Sequence, residues 1–158
     1  MMKVKAPFTN EVYEILSREE IQNIITSLAP ENIVRTAHEG YIPGIKTGYA
    51  AVNLVTGELE SKSLQQNEHH TGVDALWVAI YKIGPNPPDW PMEEIYTDEE
   101  IRTWKNSEEY EEGICIDEFH QIDPIEIYER EIEAEIYHFN LDWEWINDQL
   151  DRWYVEVY

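Results

Sequence analysis

From Ile125 to the end of the chain, apolar residues recur at steps of three and four: Ile125, Tyr128, Ile132, Ile136, Phe139, Trp143, Ile146, Leu150, Trp153 and Val157. This is the stripe of an amphipathic helix. Asp123-Pro124 supplies its start, the aspartate capping free N–H groups and the proline fitting the first turn. A strand through Glu131 to Ile136 would alternate with period two, but over a much shorter stretch. A break falls at Asn140-Leu141-Asp142, where Asp142 can cap a second helix.

Upstream, residues 10–29 carry Val12, Ile15, Leu16, Ile21, Ile24, Ile25 and Leu28 and read as a first helix closed by Pro30. Ser17 and Glu20 fit a capping box, which would start that helix at Arg18 after a short turn. Residues 34–46 read as irregular, with Gly40, Pro43 and Gly44 marking loops. Tyr49–Val55 and Leu59–Leu64 flank Thr56-Gly57 as a hairpin. Ala75–Ile83, apolar on both parities, reads as the central strand of a small antiparallel sheet.

Gly84–Pro91, with four prolines in eight residues, is extended and stiff. It is a joint between two regions, 1–83 and 93–158, with 84–92 between them, or else a surface loop of one compact domain. Beyond it, Thr97-Asp98-Glu99-Glu100 opens a helix running through Ile101 and Trp104 to about Tyr110. Residues 113–122, with Ile114 and Ile116 alternating, suggest a fourth strand. The expected fold class is α+β: an N-terminal helix, a small antiparallel sheet and a mainly helical C-terminal third.

Charge changes this picture. Residues 93–158 hold 22 acidic residues against 4 basic ones, which is −18 of the whole chain's −22. The first 50 residues hold 6 acids and 5 bases, so the acidity is regional. Confining it costs self-repulsion that a protein needing only solubility could avoid. As a helix, Glu126, Glu129, Glu131, Glu133 and Glu135 would set five carboxylates along roughly 13 Å of axis. That density, one per ~3 Å, approaches the ~3.4 Å per phosphate of a nucleic-acid strand. Glu126 also stands four residues before Arg130, the favourable orientation for an intrahelical pair.

Motifs for chemistry are sparse. His69-His70, with His38, His120 or His138, lacks the ligand spacing of a zinc site. Cys115, Asp117 and His120 are neighbours along the chain, and a catalytic relay is a matter of spatial geometry; a buried apolar role suits Cys115 better. No calcium loop or phosphate-cradling glycine loop is present. The expectation is no catalytic residue, no metal, no cofactor and no enzymatic activity. Only 11 basic residues argue against direct nucleic-acid binding. No apolar run reaches ~18 residues and no secretory leader is visible, so a cytoplasmic protein without membrane contact is expected. A single cysteine excludes an internal disulfide.

In composition, size and lack of catalytic motifs, the chain resembles the small acidic nucleic-acid mimics that phages and mobile elements use against restriction and CRISPR nucleases. The resemblance implies an inhibitor that blocks the basic groove of a DNA- or RNA-binding protein or nuclease. An immunity protein or antitoxin against a basic nuclease toxin would use the same physics. A ligand-binding or metal-dependent domain in the sheet half, near His69, His70 and Trp77, is the alternative of another class. The expected partner-binding residues are Glu126, Glu129, Glu131, Glu133 and Glu135, supported by Glu108, Glu109, Glu111, Glu112, Glu144, Asp148 and Asp151. Trp145 and Tyr154 fall off the helical stripe and are candidates for an aromatic contact surface. The stripe itself can close on the N-terminal helix or on a second copy of the chain, as a homodimer.

Overall fold

The computed structural model describes residues 1–5, 10–64 and 76–157. The fold is α+β, with a helical C-terminal third. The chain packs as two compact units: Met1–Pro87 with Asn140–Tyr158, and Pro88–Phe139.

The first unit opens on an antiparallel pair, β1 (Met2–Lys5) and β2 (Val12–Ile15), with Val4 and Ile15 fully buried. Residues 12–15 are therefore strand, and the first helix, α1 (Arg18–Ser27), starts where Ser17 accepts a hydrogen bond from the Glu20 N–H. The β-branched Val12 and Ile15 fit a pleated surface, while the serine supplies the helix boundary. The chain's tail returns to β1, where Val157 N–H donates to the Lys3 carbonyl at 3.1 Å.

Pro30 begins a helix as well as ending one. The second helix, α2 (Pro30–Glu39), has Pro30 in its first turn and buries Ile33, Val34 and Ala37, in a region whose Gly and Pro content reads as irregular. Proline breaks a helix interior but suits a helix start, so one residue carries both signals.

The hairpin forms as expected: β3 (Gly48–Asn53) and β4 (Leu59–Ser63) pair antiparallel around a turn in which Gly57 has φ +76°. The Asn53 side chain accepts from the Val55 and Thr56 N–H groups and fixes that turn. β5 (Trp77–Ile83) pairs with β3, and the order β4-β3-β5 makes β3 the central strand and β5 an edge, correcting the central position read from β5's apolar run. Both faces of the sheet are covered. α2 crosses Gly48 so closely that a Cβ there would lie 2.2 Å from the Ala37 carbonyl oxygen. On the opposite face, Trp145 of α8 (Trp143–Trp153) packs against Ala51, Trp77 and Ala79.

The edge of β5 is closed by a side chain. Gln149 Nε2 donates to the Ala79 carbonyl at 2.7 Å, and the Ala79 N–H donates to Gln149 Oε1 at 3.0 Å. One amide thus satisfies both backbone groups as a neighbouring strand would. Gln149→Leu would leave that buried pair unsatisfied and is expected to cost about 1–3 kcal/mol, read by urea denaturation; unchanged stability would mean that water replaces the amide at no cost.

The second unit contains α3 (Met92–Ile95), α4 (Asp98–Lys105), α5 (Glu108–Glu111), α6 (Ile116–His120) and α7 (Pro124–Tyr137). Thr97 and Glu100 form a complete capping box at α4. The helix expected to reach Tyr110 ends earlier, because Ser107 caps a separate turn, α5. The fourth strand expected over 113–122 is instead α6, closed by Gln121 in the left-handed region (φ 53°). Two alternating isoleucines do not distinguish a short strand from a helical turn. α7 starts at the Asp123 cap and α8 at the Asp142 cap, so the break in the apolar stripe separates two helices.

Candidate functional site: the acidic unit

The second unit concentrates the charge. Residues 88–139 hold 18 acidic residues against 3 basic ones, a net −15 of the chain's −22. Fourteen of those acidic residues are exposed.

On α7 the five central carboxylates do not form one row. At about 100° per residue, Glu126, Glu129 and Glu133 share a face, and Glu131 and Glu135 lie roughly 140° and 180° round from Glu126. The burial follows that division: Glu126, Glu129 and Glu133 are exposed, Glu131 is half-buried and Glu135 is 6% exposed. Three carboxylates over about 10 Å of axis give one charge per ~5 Å, sparser than a phosphate strand. Period-two spacing of Glu129, Glu131, Glu133 and Glu135 sends alternate residues to opposite sides of a helix. Tyr137, 82% exposed, lies on that face too, while Ile125, 74% exposed in the first turn, shares the azimuth of the buried Ile132, so the apolar stripe is exposed where it begins.

Arg130 organises the acids around it. Its guanidinium donates to both carboxylate oxygens of Glu100, at 2.8 and 3.2 Å, to Glu126 at 3.2 Å and to the Ile95 carbonyl at 3.2 Å. It also lies over the Tyr96 ring, 5.9 Å from the centroid. Hydrogen bonds from Arg130 hold the Glu100 carboxyl below its ordinary range, and the same bonds, accepted by Glu100, raise Arg130. Burial, with the nearby Asp117, pushes the Tyr96 hydroxyl up. Glu126 is thus both exposed and paired.

The remaining sequence-derived candidates separate by unit. Glu108, Glu109, Glu111 and Glu112 are exposed on and after α5 in the second unit. Glu144, Asp148 and Asp151 are exposed on α8 in the first unit, where Asp151 pairs with Arg18 at 2.5 Å. Trp145 is engaged by the sheet: its ring stacks on Tyr49 at 6.4 Å and lies 5.5 Å from Lys82 Nζ. The Tyr154 hydroxyl donates to the Leu16 carbonyl at 3.0 Å, and burial raises it to about 12. Both rings pack within the first unit.

Cys115 is exposed at the N-cap of α6, not buried as an apolar residue. His120 directs Nε2 to the Glu100 carbonyl at 2.8 Å, and His138 pairs with Glu94 at 3.2 Å while stacking on Trp90. His69 and His70 lie outside the described residues. Among the described residues, no group of three or more His, Cys, Asp or Glu is arranged to hold a metal ion, and no helix is long and apolar enough to cross a membrane.

Sequence reasoning missed the bidentate grip of Arg130 on Glu100, whose only local sign was the Glu126–Arg130 spacing. Comparison with known proteins adds no relative: no protein-family model, curated protein or solved structure matches the chain significantly.

Proposed function

We propose that this chain is a non-enzymatic inhibitor that presents a nucleic-acid-like charge surface to the basic groove of a DNA- or RNA-binding protein or nuclease, of the anti-restriction or anti-CRISPR type, acting in the cytoplasm. The observation that carries the reading is the net −15 held within residues 88–139. A groove lined by Lys and Arg attracts such a unit over a Debye length and releases its own counterions when filled. The contact residues are the exposed acids: Glu126, Glu129 and Glu133 on α7, with Glu108, Glu109, Glu111 and Glu112. Glu135, being buried, is not part of that contact surface.

Capture from host lysate on the immobilised chain, at about 50 and 300 mM salt, tests this. The expected result is one basic nucleic-acid-binding protein or nuclease, released by salt and displaced by competing DNA or RNA. Retention of a partner whose binding ignores nucleic acid, or capture of no basic protein, would overturn the reading.

A further inference from the structure

The second unit contains a groove of about 400 Å³ lined by residues that include the aromatic Trp90, Tyr96 and Trp104, the acidic Asp89, and Cys115. Its volume falls within the roughly 300–1,000 Å³ of small-ligand pockets. No lysine or arginine is among the lining residues, although Arg130 lies over the Tyr96 ring. Aromatic faces beside carboxylates form a receptor for a cation, since the ring quadrupole attracts positive charge and the carboxylate completes the pairing.

The rings are set in advance. Trp104 Nε1 donates to the Ile114 carbonyl at 2.8 Å, and its ring meets Tyr110 edge-on at 4.7 Å. Trp90 is backed by the His138 ring, stacked at 5.2 Å. Rings fixed before binding lose little freedom on binding. The unit already shows how such a site treats a guanidinium, because Arg130 lies over Tyr96 while forking onto Glu100.

We propose that this groove receives the guanidinium of an arginine side chain from a basic protein. Arginine fits better than lysine because its planar group stacks on a ring and forks onto a carboxylate at once, and it is less strongly hydrated. Charge complementarity selects the occupant: the groove lies in a unit of net −15. Only the source of the arginine rests on the function proposed above; the chemistry of the groove does not.

The test uses the full chain, isotope-labelled, titrated with N-acetyl-arginine methylamide at about 150 mM salt while the indole N–H signals of Trp90 and Trp104 are followed by NMR. N-acetyl-citrulline methylamide keeps the shape without the charge, and N-acetyl-lysine methylamide keeps the charge without the plane. Saturable shifts at both indoles are expected with arginine, with both controls at least about fivefold weaker. Asp89→Asn should weaken arginine and leave citrulline unchanged. Asp89 is exposed, so its variant keeps the fold. The proposal is overturned by shifts that do not saturate, by controls equal to arginine, or by saturable shifts confined to other indoles. A saturable arginine site without any basic protein from lysate would sink the functional reading alone; a captured basic protein without the arginine shifts would sink the groove alone.

Discussion

Reversing Glu126, Glu129 and Glu133 together to lysine is expected to weaken binding to the captured basic partner by about 100-fold or more, while the far-ultraviolet circular dichroism spectrum stays that of the native protein. The magnitude follows from close charge pairs across protein interfaces, which couple by ~1.5 kcal/mol or more. Three reversals at even ~1 kcal/mol each exceed two decades of affinity. All three side chains are exposed, so the cost to folding is small. Glu131→Lys is not an equivalent change, because Glu131 is half-buried on the other side of α7. An undiminished affinity in the triple variant would remove α7 from the contact surface. A tenfold rise in salt should shrink the difference between variant and parent, since exposed charges are the ones that salt screens.

How far the sequence speaks for itself depends on the range of the signal. Helix starts at Ser17, Thr97, Asp123 and Asp142 were legible because a cap is a local hydrogen bond between a side chain and the next turn. The hairpin at Thr56-Gly57 was legible for the same reason. Strand order was not, because the central place of β3 depends on pairings between distant segments. The grouping of α8 with the first unit was equally hidden, since Gln149 reaches an edge strand seventy residues away. For the candidate site, the regional charge was readable from composition. Which acids face water was not: counting carboxylates along the chain ignores the turn of the helix, which sent Glu131 and Glu135 away from Glu126, Glu129 and Glu133. Likewise Trp145 and Tyr154 fell off the helical stripe, yet pack within the first unit, because the sheet and the Leu16 carbonyl supply partners that helical periodicity cannot see.

Arg130→Ala is expected to destabilise the second unit by about 2 kcal/mol. A fully buried pair broken on one side costs ~3–5 kcal/mol. The Arg130 and Glu100 side chains are 26% and 21% exposed, so water relieves part of that cost. The variant leaves Glu100 without its fork, Glu126 without its partner and the Ile95 carbonyl without that donor, all in a unit with only two other basic residues, Arg102 and Lys105. Arg130→Lys keeps the charge and should recover only a fraction, because an ammonium cannot fork onto both oxygens of Glu100. Residue-resolved hydrogen exchange reads the effect within 88–139, where a signal averaged over both units would dilute it. The pH dependence separates this pair from general packing. Arg130 holds the Glu100 carboxyl below its ordinary value of 4.5. That contribution is fully present above the unfolded value and is lost as pH falls through the lower, folded one. The stability gap between parent and Arg130→Ala should therefore be constant from neutrality down to about pH 5 and shrink below about pH 4.5. A gap that stays constant into acid would assign the loss to the contact of the guanidinium with Tyr96, not to its grip on Glu100.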